Sequence, residues 1–300
     1  MDQKKYSMQD KLFYSKILLF GEYGIIGNSS GLSIPFRKFS GKLKLDSKPN
    51  PIDESSNIEI QKFYEYLKAN ISDSVNFNLK SLEEDISNGL HFDSNIPHGF
   101  GVGSSGALVA AIYYKYCSPD NNDFSELKKI FSIMESYFHG TSSGLDPLVS
   151  YLDQTLLTNS GNETSMILDN CVFNNIYLID SGNKSNTTKM ISIFSKKMEN
   201  DNFKNYFENN FIPSTNNCIE SYLNCDIMSL MKNFRDLSNI TFNNFNEMIP
   251  DKIKSLWQKG LESDSYYMKL CGSGGGGFFL IFDFENKLKD KLSEFKLIEI

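Results

Sequence analysis

The sequence predicts an α+β protein of two domains. Its 300 residues are more than one small core requires and suggest two domains of ~150 residues each. Hydrophobic residues make up 40% and charged residues 22%, the usual balance of a globular chain that buries a sizeable core. Predicted strands pair with their neighbours in sequence and do not form regular strand–helix–strand units, which favours α+β over a doubly wound sheet.

Alternating and helical spacings of apolar residues predict the elements of the chain. In order they are two short strands within 16–26, strands within 31–47, a helix over 57–70, strands over 75–81 and 89–96, helices over 104–116 and 123–140, a turn with helix or strand over 142–157, a strand within 174–183, mainly helices over 189–263, a strand, glycine loop and strand over 266–284, and a helix and short strand over 285–300. Asp123 or Ser125 can cap the helix that Gly140 ends. We expect one domain over residues 1–165 and a second over 166–300.

Composition argues against several kinds of partner. The net charge is −7 and no basic stripe is present, so nucleic acid and anionic membrane surfaces are poor partners. The N-terminal residues contain no apolar run long enough for a signal or a membrane span, which predicts a cytoplasmic protein. The five cysteines include no CxxC pair and are expected to be free thiols. The three histidines show no zinc-ligand spacing with the cysteines.

A glycine-rich loop opens the helix predicted over 104–116. The stretch "PHGFGVGSSGA", Pro97 to Ala107, runs directly into that helix. Unpaired N–H groups and the helix dipole make such a helix start a site for an anion such as phosphate. The P-loop pattern GxxxxGK[ST] is absent, which excludes that class of nucleotide hydrolase. The dinucleotide pattern GxGxxG fits the loop formally, but a second loop and another helix follow where that fold needs a strand.

Three glycine-containing motifs resemble those of the GHMP kinases, a family that includes galactokinase, homoserine kinase, mevalonate kinase and phosphomevalonate kinase. The stretch "IPHGFGVGSSGA" resembles the ATP-binding motif of that family. The stretch "SKILLFGEYGIIGNSSGLSIPF" resembles its first motif, K-x-x-L-x-G-E-H-x-V-V-x-G, and "KLCGSGGGGFFLIF" resembles its third, K-x-T-G-A-G-G-G-G. The motifs lie in the family's order over residues 16–282, so the resemblance covers nearly the whole chain.

A fourth segment is similar to that of the mevalonate kinases within the family. The stretch "ESYFHGTSSGLDPLVS", Glu135 to Ser150, resembles their segment E-x-x-x-H-G-x-P-S-G-x-D. Glu135 and Asp146 are 11 residues apart, as in that segment, and "FGEYGII" matches G-E-H-A-V-V better than the galactokinase signature. The best match is therefore a short form of mevalonate kinase.

The resemblance implies a two-domain fold, with a ribosomal-protein-S5-like N-terminal domain that binds ATP and a ferredoxin-like C-terminal domain. It implies ATP and Mg²⁺ as cofactors and a small-molecule alcohol as the partner, and it allows a homodimer. The reaction it implies is ATP-dependent phosphorylation of an alcohol hydroxyl, with mevalonate converted to 5-phosphomevalonate in isoprenoid biosynthesis.

The resemblance also assigns roles to individual residues. Asp146 is the base or orienting carboxylate beside the substrate hydroxyl, and Lys16 keeps it ionised and stabilises negative charge in the transition state. Ser105 and Glu135 are the expected Mg²⁺ ligands, since Mg²⁺ prefers hard oxygens and few protein groups. The expected nucleotide-binding residues are Pro97, Gly99, Gly101, Gly103, Ser104, Ser105 and Gly106. The expected substrate contacts are Glu22, Ser143, Thr187, Gly274 and Gly275.

Two further expectations concern glycines and histidines. Five of the six residues at 272–277 are glycine, a density that is entropically costly and favours close approach of the backbone to a ligand. His98 lies within the first glycine-rich loop and His139 in a helix-ending His–Gly pair, and both are expected to be structural.

Departures from the family's motifs leave the identity of the alcohol open. The residues that differ are Tyr23, Phe100, Gly106, Ser142 and Cys271. Substrate choice depends on pocket contacts that vary within one fold, so phosphomevalonate, homoserine and sugar kinases stay as alternatives. A non-catalytic protein of the same fold that binds a metabolite or a partner is the alternative outside enzymes, although the full catalytic set is present.

Overall fold

The computed structural model describes residues 11–46, 50–71, 75–117, 123–159, 162–168, 172–286, 288 and 295–300. The strands are β1 (Phe13–Phe20), β2 (Gly31–Leu45), β3 (Leu90–Ser94), β4 (Thr155–Asn159), β5 (Asn162–Met166), β6 (Ile176–Asp180), β7 (Tyr266–Leu270), β8 (Phe278–Asp283) and β9 (Leu297–Glu299). The helices are α1 (Pro51–Asn70), α2 (Leu79–Ser87), α3 (Ser104–Tyr116), α4 (Phe124–His139), α5 (Leu145–Leu152), α6 (Thr187–Met198), α7 (Asp201–Tyr206), α8 (Ile212–Leu223), α9 (Ile227–Asn244) and α10 (Asp251–Ser263). None of the helices in this described part is long and apolar enough to cross a membrane.

The described strands form two sheets. The first has the order β1-β2-β4-β5, and β3 also pairs with β2. The β2–β3 pairing is antiparallel and runs from Gly41↔Ser94 to Leu45↔Leu90. The second sheet has the order β7-β8-β6-β9, and all its pairings are antiparallel. The pairings of β2 with β4 and of β4 with β5 are antiparallel as well, so these pairings include no parallel crossover unit, in agreement with the α+β prediction.

Contacts within the chain divide it into two compact units. The first comprises the segment up to Lys16, Pro35–Pro97 and Gly103–Gln154, and the second comprises Ile17–Ile34, His98–Val102 and Thr155–Ile300. Each unit therefore draws on three separate segments, whereas the expected domains, 1–165 and 166–300, are continuous. The division at residue 165 stays a prediction.

The core of the first unit is built around α3. Its residues 106–113 are all buried, so this helix has no polar face along most of its length. It packs against α5, whose apolar residues are buried as well. α1 covers β3 with residues at helical spacing, namely Ile60, Phe63, Tyr64 and Leu67. This packing fixes the position of the N-terminal turn of α3, which carries the serines of the glycine-rich motif.

The core of the second unit lies on the β7–β8 hairpin. Both strands are buried along their whole length, and α9 and α10 pack on β7. The rings of Phe20, Phe234 and Phe282 contact one another, with centroids 4.3 Å apart for the last two. Trp257 is fully buried and donates its indole N–H to Ser238 Oγ at 2.8 Å. The glycine loop that joins β7 to β8 therefore stands on a well-packed base.

Most of the expected elements are confirmed. α3 covers Ser104–Tyr116 as predicted, and α4 has the predicted cap at Asp123. The strand expected over 75–81 is wrong, because the Asn78 side chain accepts from the Ser81 N–H and caps α2. Most of the helix expected after residue 285 lies outside the described residues, whereas the short strand that follows it is β9.

The strand expected to follow the Gly–Glu turn is also wrong. Tyr23 has a φ of 60°, and Gly24–Gly27 forms a short 3-10 turn. A left-handed φ at a tyrosine is strained and needs support from its surroundings. The Tyr23 hydroxyl donates to the Ser273 carbonyl at 2.7 Å, and its ring packs against Phe194. These contacts hold the chain in a turn where the sequence pattern favoured a strand.

The cysteines depart from expectation at one position. Cys225 is disulfide-bonded, so the prediction of free thiols is wrong for this residue. Cys117, Cys218 and Cys271 are buried thiols outside any disulfide, as expected. Cys171 lies outside the described residues. Spacing along the sequence gave no signal here, because a disulfide depends on which sulfur atoms meet in the folded chain.

Candidate active site

The start of α3 lies against Lys16 and Asp146. Gly103 is the N-cap residue of this helix and has a φ of 74°, a left-handed conformation that favours glycine. A Cβ at Gly103 would lie 2.9 Å from Lys16 Cγ and 3.5 Å from Asp146 Oδ2. Glycine therefore allows the first turn of the helix to approach both charged side chains.

Lys16 and Asp146 form an ion pair within the first unit. Nζ of Lys16, in β1, lies 2.8 Å from Oδ1 of Asp146, which is in the first turn of α5. The lysine side chain is 7% exposed, whereas the aspartate side chain is 30% exposed. A buried ammonium group thus orients a carboxylate that a ligand can still reach, as a group acting on a substrate hydroxyl requires.

Gly106 brings α3 against the same aspartate. A Cβ at this position would lie 2.8 Å from Asp146 Cβ and 2.9 Å from the Pro147 nitrogen. A larger residue would push α5 away from α3, because the interior offers no spare volume there. The motif that the sequence resembles has alanine here, and the glycine of this chain has a packing reason. Its expected contact with a nucleotide stays a prediction.

Glu135 is the buried carboxyl group of the cluster. The residue is 3% exposed, and its Oε1 accepts a hydrogen bond from Ser105 Oγ at 3.2 Å. Ser142 Oγ donates to its other oxygen at 2.5 Å. Burial raises the pKa of Glu135 to about 8, and the Asp146 charge adds to this. The two serine hydrogen bonds and the Lys16 charge act in the opposite direction without cancelling the effect of burial.

These oxygens fit Mg²⁺. Ser105 and Glu135 offer a hydroxyl and a carboxylate, both hard ligands, and a bound cation would favour the ionised form of a carboxyl group whose pKa is raised by burial. Mg²⁺ usually takes one or two protein carboxylates and completes its shell with phosphate and water oxygens. No group of three or more His, Cys, Asp or Glu suited to a metal is found among the described residues.

His139 belongs to this cluster, which the sequence reasoning did not foresee. Its Nε2 lies 3.0 Å from Ser105 Oγ. Burial lowers the pKa of His139, and this effect outweighs the raising effect of Asp146. Glu135 and His139 are one turn apart on α4, so their side chains share a face of the helix. That four-residue spacing is the signal that could have identified the histidine.

The turn before α5 uses its serines for local hydrogen bonds. Ser142 Oγ accepts from the Gly144 N–H at 3.0 Å in addition to donating to Glu135. Ser143 Oγ lies 3.4 Å from the Leu145 nitrogen and accepts from that N–H. Ser142, which the sequence marks only as a departure from the motif, thus connects the turn to the buried carboxyl group. The expected substrate contact of Ser143 stays a prediction.

The two glycine-rich loops of the second unit pack on each other. They are the first glycine loop, His98–Val102, and the second glycine loop, Gly272–Gly277. A Cβ at Gly101 would lie 2.3 Å from the Cys271 carbonyl oxygen. The Phe278 N–H also donates to the Phe100 carbonyl at 3.2 Å. Close backbone contact, together with packing of the Phe100 and Phe278 rings, therefore fixes the two loops relative to each other.

Packing also accounts for glycines within the second glycine loop. A Cβ at Gly274 would lie 3.0 Å from the Met248 carbonyl oxygen, and one at Gly275 would lie 2.5 Å from Met190 Sδ. The Gly275 N–H donates to the same Met248 carbonyl at 2.6 Å. The loop therefore approaches protein atoms closely, whereas the sequence argument took its glycine density as a sign of a ligand. The substrate contacts expected of Gly274 and Gly275 stay predictions.

Glu22 is buried in the second unit and paired with Lys269. It is 8% exposed, and its Oε2 lies 2.5 Å from Lys269 Nζ. The lysine also donates to the carbonyls of Leu18 and Leu270, at 3.2 and 2.7 Å. Both charged residues line a cavity of about 20 Å³, which has room for about one water molecule. The expected substrate contact of Glu22 stays a prediction, and the pairing lysine was not foreseen.

The remaining predicted residues lie at the edges of these loops. Thr187 begins α6, and its Oγ1 accepts from Ser273 Oγ at 3.3 Å. Pro97 and Ser104 flank the first glycine loop and are partly buried. Their expected ligand contacts stay predictions. The first unit brings together Lys16, Gly103, Ser105, Gly106, Glu135 and Asp146, and the second unit holds Glu22, Gly99, Gly101, Thr187, Gly274 and Gly275.

Comparison with known sequences finds one family model that matches part of the chain. Residues 60–154, which include the start of α3, Glu135 and Asp146, match the family described as GHMP kinases N terminal domain. No curated protein matches the chain.

Comparison with solved structures extends the similarity to the whole fold. L. major mevalonate kinase in complex with R-mevalonate is 16% identical with a TM-score of 0.64, over 94% of this chain and 89% of that chain. Streptococcus pneumoniae phosphomevalonate kinase in complex with phosphomevalonate and AMPPNP is 12% identical with a TM-score of 0.63, over 97% and 99%. Lactococcus lactis galactokinase complexed with galactose is 10% identical with a TM-score of 0.58, over 97% and 94%. Identities this low establish the fold, and the expected α+β fold of these kinases is confirmed.

Proposed function

We propose that this chain, which contains a GHMP kinase N-terminal domain at residues 60–154 and has the fold of those kinases, is an ATP-dependent kinase of a small alcohol. The observation that carries the proposal is the Lys16–Asp146 ion pair at the start of the helix that the glycine loop opens. The carboxylate is partly exposed, so a ligand can reach it. The ammonium group is buried, so water screens the electrostatic interaction of the pair less than it would at the surface.

The start of α3 would hold the phosphates of ATP. Its first N–H groups have no partner within the helix, and the helix dipole adds partial positive charge. Gly103 and Gly106 add no side chain to this end of the helix, and Ser104 and Ser105 add only short hydroxyl side chains. Ser105 and Glu135 would hold Mg²⁺, which when bound neutralises negative charge on the phosphate oxygens.

Asp146 would orient the acceptor hydroxyl and take up its proton. As the hydroxyl oxygen forms a bond to the γ-phosphorus of ATP, the bond from that phosphorus to the bridging oxygen breaks and ADP leaves. Lys16 fixes the orientation of the carboxylate and offsets charge that develops nearby. Positioning and charge neutralisation of this kind supply most of the catalysis in phosphoryl transfer to an alcohol.

We further propose mevalonate as the alcohol and 5-phosphomevalonate as the product. The support is the segment that carries Glu135 and Asp146, which resembles that of mevalonate kinases and whose carboxyl groups are close enough for the Asp146 charge to contribute to the raised pKa of Glu135. A mevalonate kinase that carries R-mevalonate is among the structures with this fold. With this substrate the protein would act in cytoplasmic isoprenoid biosynthesis.

Other acceptors stay as alternatives. Structures with this fold also carry phosphomevalonate and galactose, at TM-scores of 0.63 and 0.58. Tyr23, where the resembling motif has histidine, packs on Phe194 and donates a hydrogen bond to the Ser273 carbonyl, so a side chain of different chemistry occupies this position. Because substrate choice depends on such side-chain differences, homoserine and sugars stay among the acceptors to be tested.

A coupled assay of ADP release tests the proposal. The protein would be incubated with Mg·ATP and each of mevalonate, phosphomevalonate, homoserine and galactose, while calorimetry measures ATP binding separately. We expect turnover with mevalonate alone. Turnover with another alcohol would support the kinase proposal and replace mevalonate as the proposed substrate. ATP binding without turnover on any of them would favour the non-catalytic metabolite-binding protein.

A further inference from the structure

A short strap in the second unit contacts both glycine loops. The strap is the segment Ser181–Asn186, which joins β6 to α6. Its backbone accepts and donates hydrogen bonds on either side. The Gly277 N–H donates to the Asn183 carbonyl at 2.5 Å, and the Ser185 N–H donates to the Gly99 carbonyl at 2.8 Å. The strap is therefore tied to the first and the second glycine loop at once.

The side chain of Ser185 strengthens this attachment. Its Oγ donates to the Gly274 carbonyl at 2.5 Å and lies 2.9 Å from Ser273 Oγ, a second hydroxyl of the same loop. A residue held by its own N–H on one loop and by its hydroxyl on another has little freedom to move. The neighbouring residue, Lys184, is held in place with it.

Lys184 lies directly against the first glycine loop. A Cβ at Gly99 would lie 3.4 Å from Lys184 Cβ and 3.7 Å from its Cγ. On the other side, a Cβ at Gly276 would lie 2.5 Å from the Lys184 carbonyl oxygen. The aliphatic stem of the lysine thus runs beside Gly99 at ordinary van der Waals distance, and the lack of a Cβ at Gly276 lets the second glycine loop approach the lysine backbone closely.

The charge of Lys184 is not used within the described part of the chain. The side chain is exposed, and no described carboxylate lies within ion-pair distance of it. The chain as a whole carries a net charge of −7, so a lysine without a carboxylate partner beside a glycine loop is not a consequence of general basicity. Lysine is a flexible point charge with three donors, which suits it to phosphate oxygens.

We propose that Lys184 binds a phosphate of the nucleotide held at the first glycine loop, with Ser185 as the positioning residue. The inference rests on the proposed function, because it needs a nucleotide at that loop. It adds a cation beside the first glycine loop that the motif resemblance does not assign. The loop supplies backbone N–H groups and no charge of its own, so one ammonium group beside it would contribute directly to affinity.

The test is calorimetric titration of the full chain with ATP, ADP and AMP. The variants are Lys184→Gln, which removes the charge, Lys184→Arg, which keeps it, and Lys189→Gln, which removes an exposed charge in the following helix as a matched control. We expect Lys184→Gln to weaken ATP binding about tenfold, the loss of one charge-assisted hydrogen bond at an exposed site. Lys184→Arg and Lys189→Gln should bind as the natural chain does, and added salt should weaken the natural chain more than Lys184→Gln.

Each other outcome overturns a defined statement. Equal ATP affinity for Lys184→Gln and Lys189→Gln would overturn the role of Lys184 and leave the kinase proposal standing. A rise in KM for the alcohol with unchanged KM for ATP would also overturn it, since the lysine would then contact the acceptor. A natural chain that binds no nucleotide would overturn both the inference and the proposed function. Thermal unfolding of each variant checks that the exposed substitutions leave the fold unchanged.

Discussion

Two lysine–carboxylate pairs of this protein have the same chemistry and different surroundings. Lys16 and Asp146 in the first unit are 2.8 Å apart, and the aspartate side chain is 30% exposed. Glu22 and Lys269 in the second unit are 2.5 Å apart, and both side chains are at most 6% exposed. The first pair has an open side for a ligand, whereas the second is closed apart from a cavity of about 20 Å³.

The difference shows that membership of a sequence motif does not by itself place a charged residue where a ligand can reach it. The first motif contains both Lys16 and Glu22, so sequence reasoning gave both a role in the chemistry. In the structure, only the pair of Lys16 has a carboxylate that a substrate can reach. The pair of Glu22 joins the first turn of the second unit to β7, the strand that leads into the second glycine loop. We expect this pair to contribute to stability and to the position of that loop, while the substrate contact expected of Glu22 stays a prediction.

The largest expected effect is on catalysis at the open pair. Asp146→Asn keeps the shape of the side chain and an oxygen that accepts a hydrogen bond from Lys16, but it removes the basic carboxylate. We expect kcat to fall by about 10²–10⁴-fold, the usual contribution of a general base. Some loss of thermal stability should accompany this fall, because the buried Lys16 ammonium group loses its counter-charge. Turnover by coupled ADP release is the measurement.

Asp153→Asn is the matched control for this variant. Asp153 follows the same helix, α5, and its exposed carboxylate pairs with Arg37 at 2.9 Å. Its replacement should leave kcat unchanged. Asp146→Asn with natural turnover would remove the open pair from the chemistry and with it the contrast between the two pairs.

The second effect is on stability at the closed pair. Lys269→Met leaves the Glu22 carboxylate buried without its cation, so we expect the free energy of unfolding to fall by about 3–5 kcal/mol. Urea unfolding measures it. Lys254→Met, which breaks an exposed pair with Asp251, is the control and should change little. A double variant, Glu22→Leu with Lys269→Met, should recover much of the loss, and failure to recover would mean that the pair has a role beyond stability.

Part of this picture could be predicted from the sequence. The glycine loop and the cap at Asp123 placed α3 and α4, because helix ends depend on local residues. The motif spacing brought Ser105, Glu135 and Asp146 to one cluster. These signals are short-range patterns, and short-range patterns are what a single sequence displays.

The rest depended on contacts between distant segments. Lys269 meets Glu22 only because β7 lies beside the turn after β1, and no spacing along the chain announces this. The disulfide at Cys225 is of the same kind. The strand expected over 75–81 failed for a local reason, because the apolar residues of that segment favoured a strand and the cap at Asn78 started a helix.

Glu135 gives an intermediate effect, because it is as buried as the closed pair and lies beside the open one. Burial raises its pKa from an ordinary value of 4.5 to about 8, so the folded chain keeps a proton that the unfolded chain has lost. Stability is therefore fully present below the lower value and falls as the pH rises toward the upper one, by at most about 1.4 kcal/mol for each pH unit.

Glu135→Gln removes this pH dependence. We expect the variant to gain stability relative to the natural chain as the pH is raised from 5 to 8, measured by urea unfolding at each pH, while the Mg²⁺-dependent turnover is lost. Glu262→Gln, at an exposed glutamate of α10, should show no such trend. If the two proteins differed by the same free energy of unfolding at every pH in that range, the Glu135 carboxyl group would be ionised in the folded protein. Its surroundings would then be more polar than its burial indicates.

The smallest expected effect concerns the strap, and it distinguishes hydrogen bonds that position the nucleotide site from hydrogen bonds that only stabilise the fold. Ser185→Ala removes hydrogen bonds from the strap to the second glycine loop. Ser181→Ala removes two that stay within the strap, to the Asn183 carbonyl at 3.2 Å and from the Asn183 N–H at 3.4 Å. Both should cost about 1 kcal/mol of unfolding free energy, the net value of a typical hydrogen bond. Only Ser185→Ala should also raise KM for ATP, because only that hydroxyl ties the strap to the loop, and Ser185→Thr should restore it. Equal KM values for the two alanine variants would mean that the hydrogen bonds of the second unit, like its buried ion pair, stabilise the chain without setting the geometry of the nucleotide site.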